Sequence, residues 1–224
     1  MKKTLLALAF AAIAPIAAQA TQTNGIGYTY AQLDYVNVSQ SGHGAVADGA
    51  ALSGSYQFAN NFQVFGSYGS LDYSRLSIYP AEYGYLNTGV DHIYVHPKSK
   101  PWSLGFGYAA EIGSRADWVT QVSYAHEKYS FHVCVNDRCL RDNESNNNWA
   151  INTGVMGRVT DGLTANAYIG YSHSPGNHLL GASGNVFGQF GLVYAFDKTW
   201  AMEGGVRLNN NSSQSYNVGV RASF

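Results

Sequence analysis

The sequence predicts an all-β chain that folds as a transmembrane antiparallel up-and-down β-barrel of ten strands. Three observations carry this. From residue 26 onward, apolar and polar residues alternate with a period of two, and no stretch has the 3.6-residue period of an amphipathic helix. The connections between these segments read alternately as tight and long. The last segment places Tyr216, Val218, Val220, Ala222 and Phe224 on one parity and Asn217, Gly219, Arg221 and Ser223 on the other. Successive strand side chains point to opposite faces, so this strand has one apolar and one polar face. A lone strand cannot satisfy its backbone in lipid, so such a strand implies a closed ring.

The chain opens on Met1-Lys2-Lys3, runs apolar from Leu5 to Ala18 and reaches Ala18-Gln19-Ala20. A basic start, a short apolar core and an Ala-x-Ala site read as a signal peptide over 1–20, leaving 21–224 as the barrel. The apolar run is shorter than the ~20 residues a membrane helix needs.

The first strand, Gly27–Val38, sets Ala31, Leu33 and Tyr35 against Tyr30, Gln32 and Asp34. The second carries Leu52, Gly54, Tyr56 and Phe58, turns at Asn60-Asn61, and leads to the third with Phe62, Val64, Gly66 and Tyr68. Residues 72–101 form a long tyrosine-rich segment, open to two readings, a loop or a hairpin extending beyond the membrane, because its period is too weak to assign. Trp102, Leu104, Phe106, Tyr108, Ala110 and Ile112 mark the fourth strand, and Trp118, Val122 and Tyr124 the fifth. A loop with both cysteines and the polar run Asn143–Asn148 precedes the sixth, with Trp149, Ile151, Val155 and Val159. Asp161-Gly162 is the strongest short hairpin signal in the chain. The seventh strand carries Leu163 to Tyr171, the eighth Val186 to Phe196, the ninth Trp200 to Leu208, and the tenth closes the chain. Four connections are tight, near 60, 115, 161 and 198, and the five between them are longer. Short turns on one side and long loops on the other are the periplasmic and extracellular sides of an outer-membrane barrel.

Composition agrees. Charged residues are 12% of the chain, against about 25% in soluble domains. Removing Lys2 and Lys3 from the 13 basic side chains leaves 11 against 14 acidic, a net charge of −3. No basic patch invites a nucleic-acid partner. Cys134 and Cys139 are the only cysteines, and in an exported chain they read as a disulfide.

A soluble lipocalin-type barrel has the same period with its polarity reversed, apolar inside and polar outside. Tryptophan argues for the membrane. Trp102 and Trp149 start strands after long loops, Trp118 and Trp200 after short turns, all on the apolar parity. Two at each rim make the aromatic girdles expected where rings meet lipid headgroups.

The segment Asp48–Tyr68, the run Leu104-Gly-Phe-Gly-Tyr108 and the closing strand resemble a family of small Gly/Tyr-rich outer-membrane β-barrels of Gram-negative bacteria, akin to opacity-type and porin-like barrels. One member, from a plant-pathogenic bacterium, was once proposed as an immune-activating, quorum-related surface protein. The resemblance implies fold and outer-membrane location and no catalytic residues. An amphipathic last strand with Tyr216 and a terminal Phe224 is similar to the signal read by the outer-membrane assembly machinery, which, with membrane lipid, is the partner the sequence implies.

On this reading the lumen carries Asp34, Glu111, Glu127, Arg158, Glu203, Arg207 and Arg221 among amides. Barrels of about 8 strands are filled by side chains and those of 16–18 leave a channel, so ten strands leave at most a narrow, weakly selective pore. The seven histidines fall in loops or upper strand ends with no chelating context, so no metal or cofactor is expected. Asp91-His92 and Ser172-His173-Ser174 are the only echoes of hydrolase chemistry, and strand neighbours point to opposite faces. The expected role is a non-enzymatic envelope scaffold exposed at the surface. The 72–101 segment is the candidate for binding an external partner, and a soluble periplasmic barrel is the remaining alternative.

Overall fold

The computed structural model describes residues 24–40, 44–78, 93–135, 138–176 and 183–224. The segment 1–20, His43, His92 and His178 lie outside them. The strands are β1 (Tyr30–Gln40), β2 (Gly44–Ala59), β3 (Phe62–Tyr73), β4 (Leu76–Ile78), β5 (Ile93–Gly113), β6 (Ala116–Val135), β7 (Arg138–Arg158), β8 (Leu163–Ser174), β9 (Ser183–Ala195), β10 (Trp200–Asn209) and β11 (Ser213–Ser223). Each long strand pairs antiparallel with the next, β3 pairs with β5, and β1 pairs with β11. The ring therefore closes with ten strands, while β4 only extends the edge of β5. The expected fold class is the observed one.

Polarity runs outward. Leu104 and Ile169 are each 62% exposed, whereas inward Gln63 is 2% and Asp34 6% exposed. This inverts a soluble barrel, whose apolar face fills the interior. Strand spacing near 4.8 Å and a tilt near 40° put the backbone of a ten-stranded ring at a radius of about 10 Å. Such a lumen is wide enough for one extended segment where the inward residues are small.

Four connections define one rim, called lower here. Asn60-Asn61 turns back, and Asn61 Nδ2 donates to Ala109 O at 2.6 Å. In the 196–199 turn the amides of Thr199 and Trp200 both donate to Asp197 Oδ1, at 2.7 and 2.8 Å. The hairpin expected at Asp161-Gly162 joins β7 to β8 through a four-residue loop, 159–162, in which Thr160 Oγ1 accepts from the Gly162 and Leu163 amides. Among the described residues only Gly25, Gly176 and Ser212 have positive φ.

The upper side departs further from expectation. Where the structure describes them, most residues of the expected long loops are strand. Only residues 41–43 separate β1 from β2, and only 136–137 separate β6 from β7. The polar run Asn143–Asn148 pairs residue by residue with Ala125–Ser130 of β6, and 93–101 pairs with 127–135. β5, β6 and β7 are 21, 20 and 21 residues long, twice the 10–13 of β8 to β11. The asymmetry between the two sides is thus one of strand length. Above the level of Trp102, β5 to β7 continue as an arm for about nine residues, roughly 30 Å along the strand.

Two aromatic levels frame the wall. At the upper one Trp102 packs 5.8 Å from Tyr124 and 5.9 Å from His126, and Trp149 lies 5.9 Å from Tyr171 and 5.5 Å from His173. At the lower one Trp118 faces Ala110 and Val155, and Trp200 faces Ala222. From Trp118 to His126 is eight residues of β6, about 20 Å in height at this tilt, close to the ~25 Å apolar band of outer-membrane barrels.

Candidate functional site

The lumen holds the chemistry, and its lower end is filled by chain. Residues Gly27–Thr29, read from sequence as the start of the first strand, are not strand, and neither are Asn24–Ile26 before them. Asn24, Ile26 and Tyr28 are buried inside the ring. Ile26 and Tyr28 pack with Ala109, Val119 and Tyr168, with Met156 against them. The lower part of the wall presents small inward residues there, which makes the room. Asp117, the first inward residue of β6 and fully buried, accepts from Tyr28 Oη at 2.8 Å and from Asn24 Nδ2. Asn24 Oδ1 in turn accepts the Ile26 amide at 3.0 Å, and Arg158 Nη1 donates to Asn24 O at 3.2 Å. Gly25 makes this bend possible. Its φ is +72°, and a Cβ there would lie 2.6 Å from Arg158 Nη1.

Above the plug lies a charged network built from β1, β10 and β11. Arg221 donates through Nη2 to Glu203 Oε2 at 2.9 Å and through Nε to Gln32 Oε1 at 2.8 Å. Gln32 Nε2 donates to Asp34 Oδ2 at 2.7 Å, and Asn217 Nδ2 reaches both Glu203 Oε1 and Asp34 Oδ1. The Arg221 guanidinium also lies 3.9 Å from the centre of the Tyr30 ring. A buried guanidinium is tolerated because one face meets the Tyr30 ring and two of its nitrogens meet acceptors. Higher up, Arg207 stacks 3.6 Å from the Phe187 ring centre and donates to Asn209 Oδ1 at 3.2 Å. Phe187 fills the lumen over Gly170, where any Cβ would come within 2.4 Å of its ring.

A polar cavity of about 320 Å³ remains between plug and network, bordered by Tyr28, Gln121, Asn152, Asn166, Gln189 and Arg207. It is large enough and polar enough for several water molecules. Tyr28 of the plug forms part of its lining.

The seven charged residues assigned to the lumen are spread over three levels. Asp34, Glu203, Arg207 and Arg221 share the middle. Glu111 is exposed at the lower mouth, opposite Asp117 in register, and Arg158 sits there with Asp161 at 3.3 Å. Glu127 stands in the arm, accepting from Tyr129 Oη at 2.7 Å. Desolvation and then Glu127 raise the Tyr129 phenol well above its ordinary pKa.

The other assigned residues are placed as follows. Cys134 and Cys139 form a disulfide between directly paired positions at the end of the arm. Tyr216 faces outward, and the Phe224 amide donates to Thr29 O at 3.1 Å, beside the plug. His173 points out onto Trp149, whereas Ser172 and Ser174 are buried and bond Asn185 O and Asn146 Oδ1. No base therefore meets a serine at this site. Among the described residues no three His, Cys, Asp or Glu side chains gather as a metal site.

Neither the protein-family models nor the curated proteins match this sequence. Among solved structures, the translocator domain of the autotransporter NalP from Neisseria meningitidis superposes with a TM-score of 0.51 at 12% identity, covering 100% of this chain and 96% of that one. The chain has the fold of an outer-membrane β-barrel. The NanC porin (TM-score 0.47, 11% identity, 87% and 100% of the two chains) and Neisserial surface protein A (0.41, 15%, 88% and 96%) are also similar, at lower scores. At these identities fold is the common property, and what the lumen of this barrel does follows from its own residues.

Proposed function

We propose that the protein is an integral outer-membrane barrel that serves as a non-enzymatic envelope scaffold, its lumen stoppered from the periplasmic side and its β5–β7 arm displayed outside. The supporting observation is the Asn24–Tyr28 segment seated against Asp117, Val119 and Tyr168. Lipid on the apolar outer face and the assembly machinery, acting on the closing strand with Tyr216 and Phe224, are the partners this reading requires. The lipid-facing girdle would be Trp102, Trp118, Trp149 and Trp200. Membership of the small Gly/Tyr-rich barrels is part of the same proposal.

Planar-bilayer recording tests it. The full chain should be silent or show rare, small openings. A variant lacking residues 24–28 should conduct steadily, with little charge preference because the mid-lumen charges nearly cancel. Steady conductance by the unaltered protein would overturn the stoppered reading.

A second reading, recognition of an external partner, draws on the arm. Its inward face carries Tyr129 and Phe131 in ring contact, with Tyr73 of β3 against Tyr129, and Leu140 near the tip is 77% exposed. Loss of surface binding on shortening the arm to the level of Trp102, with the barrel intact, would support it.

A further inference from the structure

The cations of this chain are unevenly placed. No Lys or Arg occurs between residues 21 and 74, and after Arg158 only Lys198, Arg207 and Arg221 remain. Lys198 is in a lower turn, and the two arginines are in the lumen. The upper cations therefore belong to one side of the barrel, the arm. Its outward face carries Lys98 and Lys100 on β5, Lys128 on β6 and Arg141 on β7.

Register sharpens this. Trp102 and His126 face each other at the upper aromatic level, and the next outward pair above them is Lys100 opposite Lys128. Directly opposed like charges destabilise a sheet unless something neutralises them. Among the described residues neither lysine has a hydrogen bond or ion pair. Asp72, the acid on that side, is already taken by Lys98 at 2.6 Å and His96 at 2.5 Å. Two residues up the strand from a Trp is about 5 Å in height at this tilt, so both ammonium groups stand at headgroup depth on the lipid side of the wall.

We propose that the Lys100–Lys128 pair seats a lipid-borne phosphate group of the leaflet from which the arm rises. The inference rests on the membrane reading above. Charge complementarity and continuity with the aromatic level identify the occupant: a phosphate carries enough charge and acceptors to bridge two ammonium groups.

The test uses the refolded full chain, first inserted into phosphatidylcholine vesicles and checked by a heat-dependent gel shift, then transferred to zwitterionic detergent. Native mass spectrometry compares retention of phosphatidic acid with that of the matching diacylglycerol. The unaltered chain should prefer phosphatidic acid. Lys100→Gln with Lys128→Gln should reduce that preference roughly tenfold or more, from the usual contribution of a basic side chain at an anionic surface. Lys198→Gln should leave it unchanged, and inorganic phosphate at matched ionic strength should not displace the lipid. Equal retention of both lipids, an undiminished preference in the double variant, an equal loss in Lys198→Gln, or displacement by inorganic phosphate would each overturn the assignment while leaving the membrane reading intact. Failure to insert into the vesicles would overturn both.

Discussion

Tyr28 and Asp117, 89 positions apart in sequence, are joined by a 2.8 Å hydrogen bond inside the ring. Through it the segment preceding β1 is anchored to the start of β6, across the lumen from its own strand. Asp117→Leu removes both acceptors and leaves Asn24 and Tyr28 as buried donors, a loss of about 1–3 kcal/mol per unpaired group. Bilayer recordings of this variant should show openings absent from the parent, with the gel shift of the folded barrel retained. Tyr28→Phe, which removes one donor and little volume, should have the smaller effect.

Arg221 is the only cation touching Glu203 and Gln32 at mid-lumen among the described residues. Arg221→Met would leave Glu203 and Asp34 enclosed without a counter-charge, and removing one partner of a buried pair typically destabilises by about 3–5 kcal/mol. Arg221→Met combined with Glu203→Leu should recover much of that loss. Denaturant unfolding of the refolded barrel in micelles measures both. Equal stability of the single and double variants would contradict the expected recovery.

Lys98, and secondarily His96, hold the Asp72 carboxyl below the ordinary carboxylate range. The sign follows. A group whose folded pKa is depressed adds stability above its unfolded pKa, near 3.9, and loses it as pH falls through the lower folded value. Since Asp72 is exposed, solvent screening keeps the contribution small, at most about 1 kcal/mol. Carboxyl NMR titration should give a midpoint below 3.9 that rises on Lys98→Ala and rises less on His96→Ala.

Joining Cys134 to Cys139 removes open states of a short loop, which the chain-entropy relation sets at about 2 kcal/mol for a closure of this size. Reduction should therefore speed amide exchange near the end of the arm, around 131–142, by up to about thirtyfold, leaving the exchange of β8 to β11 unchanged. Exchange that rises throughout the barrel would instead tie the disulfide to global stability.

Where lipid covers one side of the wall and the lumen the other, parity is written plainly in the sequence. Tyr216, Val218 and Val220 against Asn217, Gly219 and Arg221 is such a case, and the two tryptophan levels follow from it. Above Trp102 both faces of the arm can be polar, and the alternation that identified the wall disappears. Asn143–Asn148 therefore read as loop although each residue has a partner on β6. The plug was illegible for a different reason. Asn24–Thr29 has the composition of a strand start, and its fate depends on Asp117, Val119 and Tyr168, whose proximity is set only by ring closure. For the lumen, parity alone indicated which way Arg221 points. Its choice of Glu203 over Glu111 follows from register, since β10 and β11 pair Glu203 with Gly219, one step from Asn217 and Arg221 on the same face.

The mid-lumen network also carries an order of events. Arg221 and Glu203 lie on one hairpin and can meet as soon as β10 and β11 pair, whereas Gln32 and Asp34 come from the far end of the chain and arrive only with the β1–β11 seam. The Asn217–Asp34 contact spans 183 positions. Until that seam forms, Asp34 keeps its hydration and the Arg221 cluster is half-built. Dehydrating the carboxylate is thus deferred to the last step of construction, when the donors that compensate it are already standing in place. The network acts as a latch that engages only on a correctly registered ring.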